Sequence, residues 1–518
     1  MGKTRHSVEK AQATIDPPHT RLDKSLDKNI ETLHGIFHDS FDIVFRPIHL
    51  PDLGEILILF VNGLVNSDSL DSAVLKPLIF EGDTMKLRTN CSLHQIIKHQ
   101  LIAIAQTKTA FTIDEIVMEI LSAKVAILAD GEQQAIIADL HGFQTRTVTE
   151  PSSEVAIRGP KEGFTEFLLT NTSLIRRKIV HPGLKMEHFT LGTVTHTSIA
   201  VAYIKDIASE PMVDEVRRRI SAIEIDSVID TAYIEEFIED ATFSPYPTIQ
   251  NTERPDVVAT TLLDGKIAIM ADGSPNALIV PVSFWAALQS SEDYYERFIF
   301  STCIRLLRLM MYTISLVLPS FYVAITTYHQ QLLPTPLLFS IAAAREGIPF
   351  PTMIEALIME FMFEGLREAG LRLPKPVGPA VSIVGALVIG ETAVQAGIVS
   401  APMVIIIALT GICSFAIPKF NFGIAHRLLR FPILIMSGVF GIFGLTMGCI
   451  FVLIHLVCLR SFGEPYLSPI APQIFSEMKD SIVRIPRWMM TTRSEFSEST
   501  TNRISQRQPA NRFSRRRR

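Results

Sequence analysis

The signatures of common enzyme chemistry are missing from this chain, which has no Walker loop, no G-x-G-x-x-G after a strand, no G-x-S-x-G and no H-E-x-x-H. P-loop, dinucleotide, serine-hydrolase and zinc-protease chemistries have no foothold. Cysteine is scarce, five in 518 residues, and Cys91, Cys303, Cys413, Cys449 and Cys458 show no short metal-type spacing. Four of them lie in or beside apolar segments, where a thiol behaves as a small hydrophobe. No disulfide framework is expected, and a reducing compartment is. His181, His188 and His196 stand off any metal-ligand spacing, so neither a metal nor another cofactor nor a catalytic residue is expected. The opening MGKTRHSVEKAQ has no apolar core and no small-residue cleavage site, so no secretory signal is expected and the amino-terminal region should stay in the cytosol.

Hydrophobic residues, by contrast, make up 47% of the chain, which is high for a soluble protein of this length and points to a membrane portion. The net charge of -5 hides an uneven distribution, acidic in the first half and basic at the end. Residues 1–40 are polar and weakly patterned, and read as a mobile arm or an outer helix. Residues 41–150 read as a first α/β subdomain, with EILILFVNGLV and KVAILAD as buried strands and FTIDEIVMEILSA as a helix between them. Residues 151–295 read as a second, in which TEFLLTNTSLIRRKI and MVDEVRRRISAI are helical and LGTVTHTSIAVAYI is a strand. There, VVATTLLDGKIAIMADGSPNALIVP is expected to form a β-meander, because its Asp-Gly turns separate β-rich runs.

Residues 296–465 form the expected transmembrane domain. No charged residue occurs from Leu309 to Ala344, from Thr392 to Pro418 or from Phe431 to Leu459, and about 20 apolar residues suffice to cross a hydrocarbon core of about 30 Å. Pro319 should kink the first span, LLPTPLLFSIAAA is too short to cross, and the helix from Val377 should break near Ser400. Phe431–Leu459 is long for one span and short for two, leaving four to six in all. The ten arginines between Arg484 and Arg518, in the basic tail 466–518, favour an even number with both ends cytoplasmic. Such a tail is expected to meet anionic lipid or anchor topology, and no nucleic acid is expected as a partner. The fold class is therefore an α/β soluble region of two lobes followed by an all-α multi-span bundle.

Within that bundle Glu391 is the most pointed feature, since an ionisable group in an apolar segment costs a few kcal/mol unless it meets water or a partner. Val384, Val388, Glu391 and Gln395 fall on one helical stripe, while Ser382, Ala386 and Gly390 make a ridge of small residues for close packing. Repeated around a symmetric oligomer, the stripe would stack rings of valine, which gate by dewetting, beside a ring of carboxylates, which attracts cations. The alternative is that Glu391 pairs with an arginine inside the bundle. On the preceding helix Glu360, Glu364 and Arg367 share a face, so that pairing within the helix, an interfacial helix and an ion path are all open.

The blocks VAIRGPKEGFTEFLLTNTSLIRRKI, TERPDVVATTLLDGKIAIMADGSPNALIVP, SSEDYY, LPSFYVAITTYH, REGIPFPTMIEALIMEF and FEGLREAGLRLPKPVGPAVSIVGALVIGETAVQAGIVSAPMVI, in this order over residues 40–465, resemble the A subunits of GerA-family spore germination receptors. The resemblance implies a multi-pass protein of the bacterial spore inner membrane that works with a transporter-like, nutrient-sensing B subunit and a lipoprotein C subunit. It also implies self-association, as a pentamer, into a ligand-gated cation channel, with Val377–Ser400 as the pore element and Val384, Val388 and Glu391 as gate and selectivity ring. A secondary transporter, or a membrane scaffold for the sensing subunit, are the other readings the residues allow.

Overall fold

The computed structural model describes residues 20–50, 54–79, 107–142, 150–151, 154, 156–372, 390–474 and 478–490. The chain divides into two compact units: one holds residues up to Ile238 together with Asn251–Pro281, and the other holds Glu239–Gln250 and Val282–Met489.

The first unit is a pair of α/β lobes. In lobe one, helix α1 (Leu26–Ile36) precedes strands β1 (Ile43–Leu50), β2 (Gly54–Val61) and β3 (Thr107–Ala110), then helix α2 (Ile113–Leu121), β4 (Val125–Ala129) and β5 (Ala135–Ala138). The strands pair antiparallel in the order β1-β2-β4-β5-β3. Side-chain alternation splits the core: Leu57, Leu59, Ala126, Leu128 and Ile137 face α1 and α2, whereas Ile56, Ile58, Val125, Ile127 and Ile136 face Leu70, Val74 and Leu78 on the other side. Lobe two contains α3 (Leu168–Lys178), β6 (Leu184–Leu191), β7 (Thr197–Ile204), α4 (Glu210–Ser221), α5 (Thr231–Ile238), β8 (Gln250–Thr252), α6 (Pro255–Leu263), β9 (Ile267–Ala271) and β10 (Ala277–Val280), with sheet order β6-β7-β9-β10-β8.

The second lobe repeats the first, strand for strand. KVAILADG at 124–131 and KIAIMADG at 266–273 occupy the same hairpin in the two sheets. Asp130 accepts from the Leu26 N–H at 3.1 Å and Asp272 from the Leu168 N–H at 3.0 Å, each pair 104 residues apart, so each carboxylate caps the first helix of its own lobe. Asn29 closes the loop at Asp23, and Asn171 the loop at Thr165, by matching side-chain bonds to the backbone. The lobes are stitched by one buried ion pair, with Arg176 Nε 2.6 Å and Nη2 2.9 Å from the Asp42 carboxylate while Nη1 donates to the Leu184 carbonyl. Beside it Lys185 Nζ donates to the Ile36 carbonyl at 2.7 Å, and burial lowers that amine to about 8.

The second unit is helical: α7 (Phe298–Thr327), α8 (Thr335–Arg345), α9 (Thr352–Arg372), α10 (Ala401–Ser414) and α11 (Phe420–Cys458). Two of these, α7 and α11, are long and apolar enough to cross a membrane. Helix α11 is broken at Gly441, whose φ of 63° and ψ of -142° only glycine adopts readily. A Cβ added at Gly444 would overlap the Met436 carbonyl, and one added at Gly448 would lie 3.2 Å from Ile433 Cγ1. Residues eight apart on a straight helix stand about 12 Å apart, so α11 folds back on itself as an antiparallel hairpin. Its arms, 420–440 and 442–458, run about 31 Å and 25 Å at 1.5 Å per residue. Helix α7 packs along both α11 and α10. The segment Glu239–Gln250 is built into this unit through Tyr246, which is fully buried with its hydroxyl 3.0 Å from that of Tyr312 and its ring against Phe422.

Several expectations change. The first run of the expected meander, 257–263, is no strand: Pro255 opens helix α6, Asp256 sits in its first turn, and Val258, Ala259 and Leu262 bury one face. The β-branched Val257, Val258, Thr260 and Thr261 suit a strand, and tertiary burial overrides them. Residues 20–36, placed with the arm, contribute Leu22, Leu26 and Leu33 to the core of lobe one. The compact units part at 281/282 rather than 295/296, and residues 478–489, counted with the tail, pack in the helical unit, where Arg305 meets Asp480. Pro319 lies inside α7 without ending it.

Candidate functional site

Helix α9 runs through the helical unit with four glutamates, and each is met by an arginine. Glu355 is fully buried; its Oε1 accepts from the Ser400 N–H at 2.5 Å and from the Ser400 hydroxyl, and its Oε2 lies 3.7 Å from Arg345 Nε. The carboxylate thus sits at the start of α10, where Ser400 is the N-cap. Glu360 Oε2 lies 2.5 Å from Arg430 Nη2, and both side chains are 1% exposed. Glu364 pairs with Arg427 across to α11 and with Arg367 one turn along at 3.4 Å. Glu368 pairs with Arg372 at the solvent end. Arg367 also donates to Ser414 Oγ at 2.7 Å and lies over the rings of Phe363 and Phe415.

Helical periodicity explains the layout. Glu360, Glu364 and Arg367 recur on one face of α9, as the spacing predicts, and Arg427 and Arg430 recur three apart on the first arm of α11. Of these three, only Glu364 and Arg367 pair within the helix; Glu360 is met from α11 by Arg430. One turn before Arg430, His426 is fully buried with Nε2 2.6 Å from Ser315 Oγ on α7. The ladder therefore ties α9, α10 and α11 together, and His426 ties α11 to α7.

Of the residues predicted on this helix, Val384 and Val388 of the pore-lining stripe and Ser382 and Ala386 of the packing ridge lie outside the described residues. Gly390 is half-buried, and an added Cβ there would touch Val404 at 3.5 Å. Glu391 and Gln395 are exposed on one helical turn, with Gln395 Nε2 donating to Glu391 Oε1 at 3.2 Å. Among the described residues that amide is the polar partner of Glu391, and no arginine faces it. Gly397, at a φ of 66°, ends this helix before Ser400 begins α10, so the chain breaks where the Ser-Ala-Pro sequence places it.

Sequence reasoning missed Arg427, Arg430, Ser400 and Glu355 as members of the site. HRLLR, with two arginines three apart at the head of an apolar run, was the available signal for the first two.

The architecture is thus two lobes of α/β structure joined to a helical unit in which two helices are long and apolar enough to cross a membrane. The family model of Bacillus/Clostridium GerA spore germination proteins matches residues 31–496, and this chain belongs to that family. It is 45% identical over 496 residues to the uncharacterized membrane protein YfkQ of Bacillus subtilis, covering 95% of both chains. It is 45% identical over 487 residues to spore germination protein KA of the same organism, covering 94% of this chain and 89% of that one. A crystal structure of the N-terminal domain of the A subunit of the Bacillus megaterium spore germinant receptor GerK3 aligns at 30% identity over 52% of this chain and 99% of that one, with a TM-score of 0.42.

Proposed function

We propose that this chain is the A subunit of a nutrient germinant receptor, and that copies of it assemble into a gated cation channel in the spore inner membrane. In this reading the stripe Val384, Val388, Glu391 and Gln395 faces a hydrated axis shared by the copies, five by family resemblance. The valines close the axis by dewetting and Glu391 favours cations. A B subunit senses the nutrient, a lipoprotein C subunit completes the complex, the α/β lobes lie in the cytoplasm, and the helical unit is multi-pass with an even number of spans.

One contrast supports the reading most. Every glutamate of α9 is answered by an arginine, whereas Glu391 is exposed and bonded to a neutral amide. A carboxylate left without a counter-charge in an apolar segment is stable where water reaches it. The ladder on α9 then serves as the rigid frame against which the pore helix moves.

Single cysteines placed across 377–400 in the assembled receptor, reacted with a charged thiol reagent, test this. Periodic labelling with 384, 388, 391 and 395 on the reactive face supports it. Labelling confined to the opposite face, or none on this stripe, overturns it.

A further inference from the structure

The charges around Glu360 do not balance. Among the described residues, Arg367, Arg427 and Arg430 converge on two carboxylates, Glu360 and Glu364, while Glu368 is taken by Arg372 and Glu355 by Arg345. Guanidinium does not deprotonate in proteins, so the excess positive charge persists at any working pH. Residues 373–389, which continue from α9, contain no Asp or Glu to offset it.

A second, independent observation lies in the hydrogen bonds. Among the described residues Arg430, 1% exposed, has no hydrogen-bond acceptor at Nε or Nη1 and meets Glu360 at Nη2 only as an ion pair, and Arg367 Nε has no acceptor either. Buried guanidinium N–H groups without acceptors cost more than neutral ones, and native structures satisfy them. What is needed is an acceptor bearing negative charge, small enough to enter a packed helical unit.

We propose that the Arg367–Arg430 corner of the ladder binds one small soluble monoanion, a halide or a short carboxylate, which accepts from Arg430 Nε and Nη1 and restores neutrality. Glu360, ion-paired with Arg430 Nη2, limits the affinity, because its own Oε1 repels the guest. Binding locks α9 to α11, so the anion stabilises the frame of the proposed channel. The charge count and the unpartnered donors stand whether or not that channel reading holds.

The test is thermal unfolding of the full-length protein in an uncharged maltoside detergent, with chloride or acetate replacing gluconate at constant ionic strength. A saturable rise of the melting temperature is expected for the wild type. Half-saturation should move roughly tenfold or more upward in R430Q, and downward in E360Q, consistent with charge-assisted hydrogen bonds. Because R430Q removes a buried partner and can fail to fold, the wild-type titration and E360Q suffice by themselves. A melting temperature indifferent to anion identity, with the donors then satisfied by water, overturns the proposal, as does a rise seen only on adding phosphatidylglycerol, which would place a lipid phosphate there instead.

Discussion

Glu360 and Arg430 meet at 2.5 Å, with each side chain 1% exposed, and so join α9 to α11 inside the helical unit. An ion pair so placed has lost its hydration, and truncating one partner strands the other charge. Arg430→Met alone should destabilise the helical unit by about 3–5 kcal/mol. Pairing it with Glu360→Leu should recover most of that loss, read as thermal unfolding midpoints in detergent at fixed salt and anion. Equal loss in the single and double variants would mean that the pair is not coupled.

A second buried pair, Asp42 with Arg176, holds the two α/β lobes together. Asp42→Ala leaves the guanidinium facing an apolar interior and should cost about 3–5 kcal/mol. Hydrogen exchange of the full chain checks this: amides of β6, against which residues 39–41 lie, should lose protection first.

Lys185 gives the lobes a defined pH response. Its amine is lowered by burial to about 8 from an ordinary 10.5, so between these values the unfolded chain binds more protons than the folded one. Stability therefore rises with pH across that window, and the unfavourable contribution is fully present below it. Lys185→Met should remove this rise. Unfolding midpoints of the two proteins from pH 7.5 to 10.5 should converge at the alkaline end.

The hairpin in α11 depends on Gly441. Gly441→Ala places a Cβ 2.9 Å from His329 Cε1 in a backbone region that side chains avoid, and should cost about 1–3 kcal/mol. Disulfide trapping between cysteines at positions 433 and 448, in a background without native cysteines, should be efficient with Gly441 and weaker in the variant.

Much of this architecture is legible along the chain, and the remainder is not for definite reasons. EILILFV, KVAILA and MVDEVRRRISAI declare themselves by period two or period 3.6, because one face of each is buried. The first run of the meander expected over 257–281 is a helix, because β-branched residues satisfy one when Pro255 and Asp256 start it, while its second part forms the β9–β10 hairpin. The α11 hairpin is hidden because Gly441 and Gly444 in an apolar run look like the small residues of a continuous membrane helix. The partner of Glu360 is 70 residues away (430 − 360), and nothing local ties Glu360 to Arg430 rather than to Arg367. Conversely, Glu391 was conspicuous in the sequence, because a lone carboxylate in an apolar segment needs no tertiary information to be noticed.

Reversal potentials of the purified oligomer in planar bilayers under asymmetric potassium chloride test the central claim, that Glu391 faces a hydrated conducting axis, most directly. The wild type should show discrete cation-preferring conductance, and Glu391→Gln should move its reversal potential toward zero while the protein stays assembled. An unchanged reversal potential, or a silent membrane with intact oligomers, would contradict it.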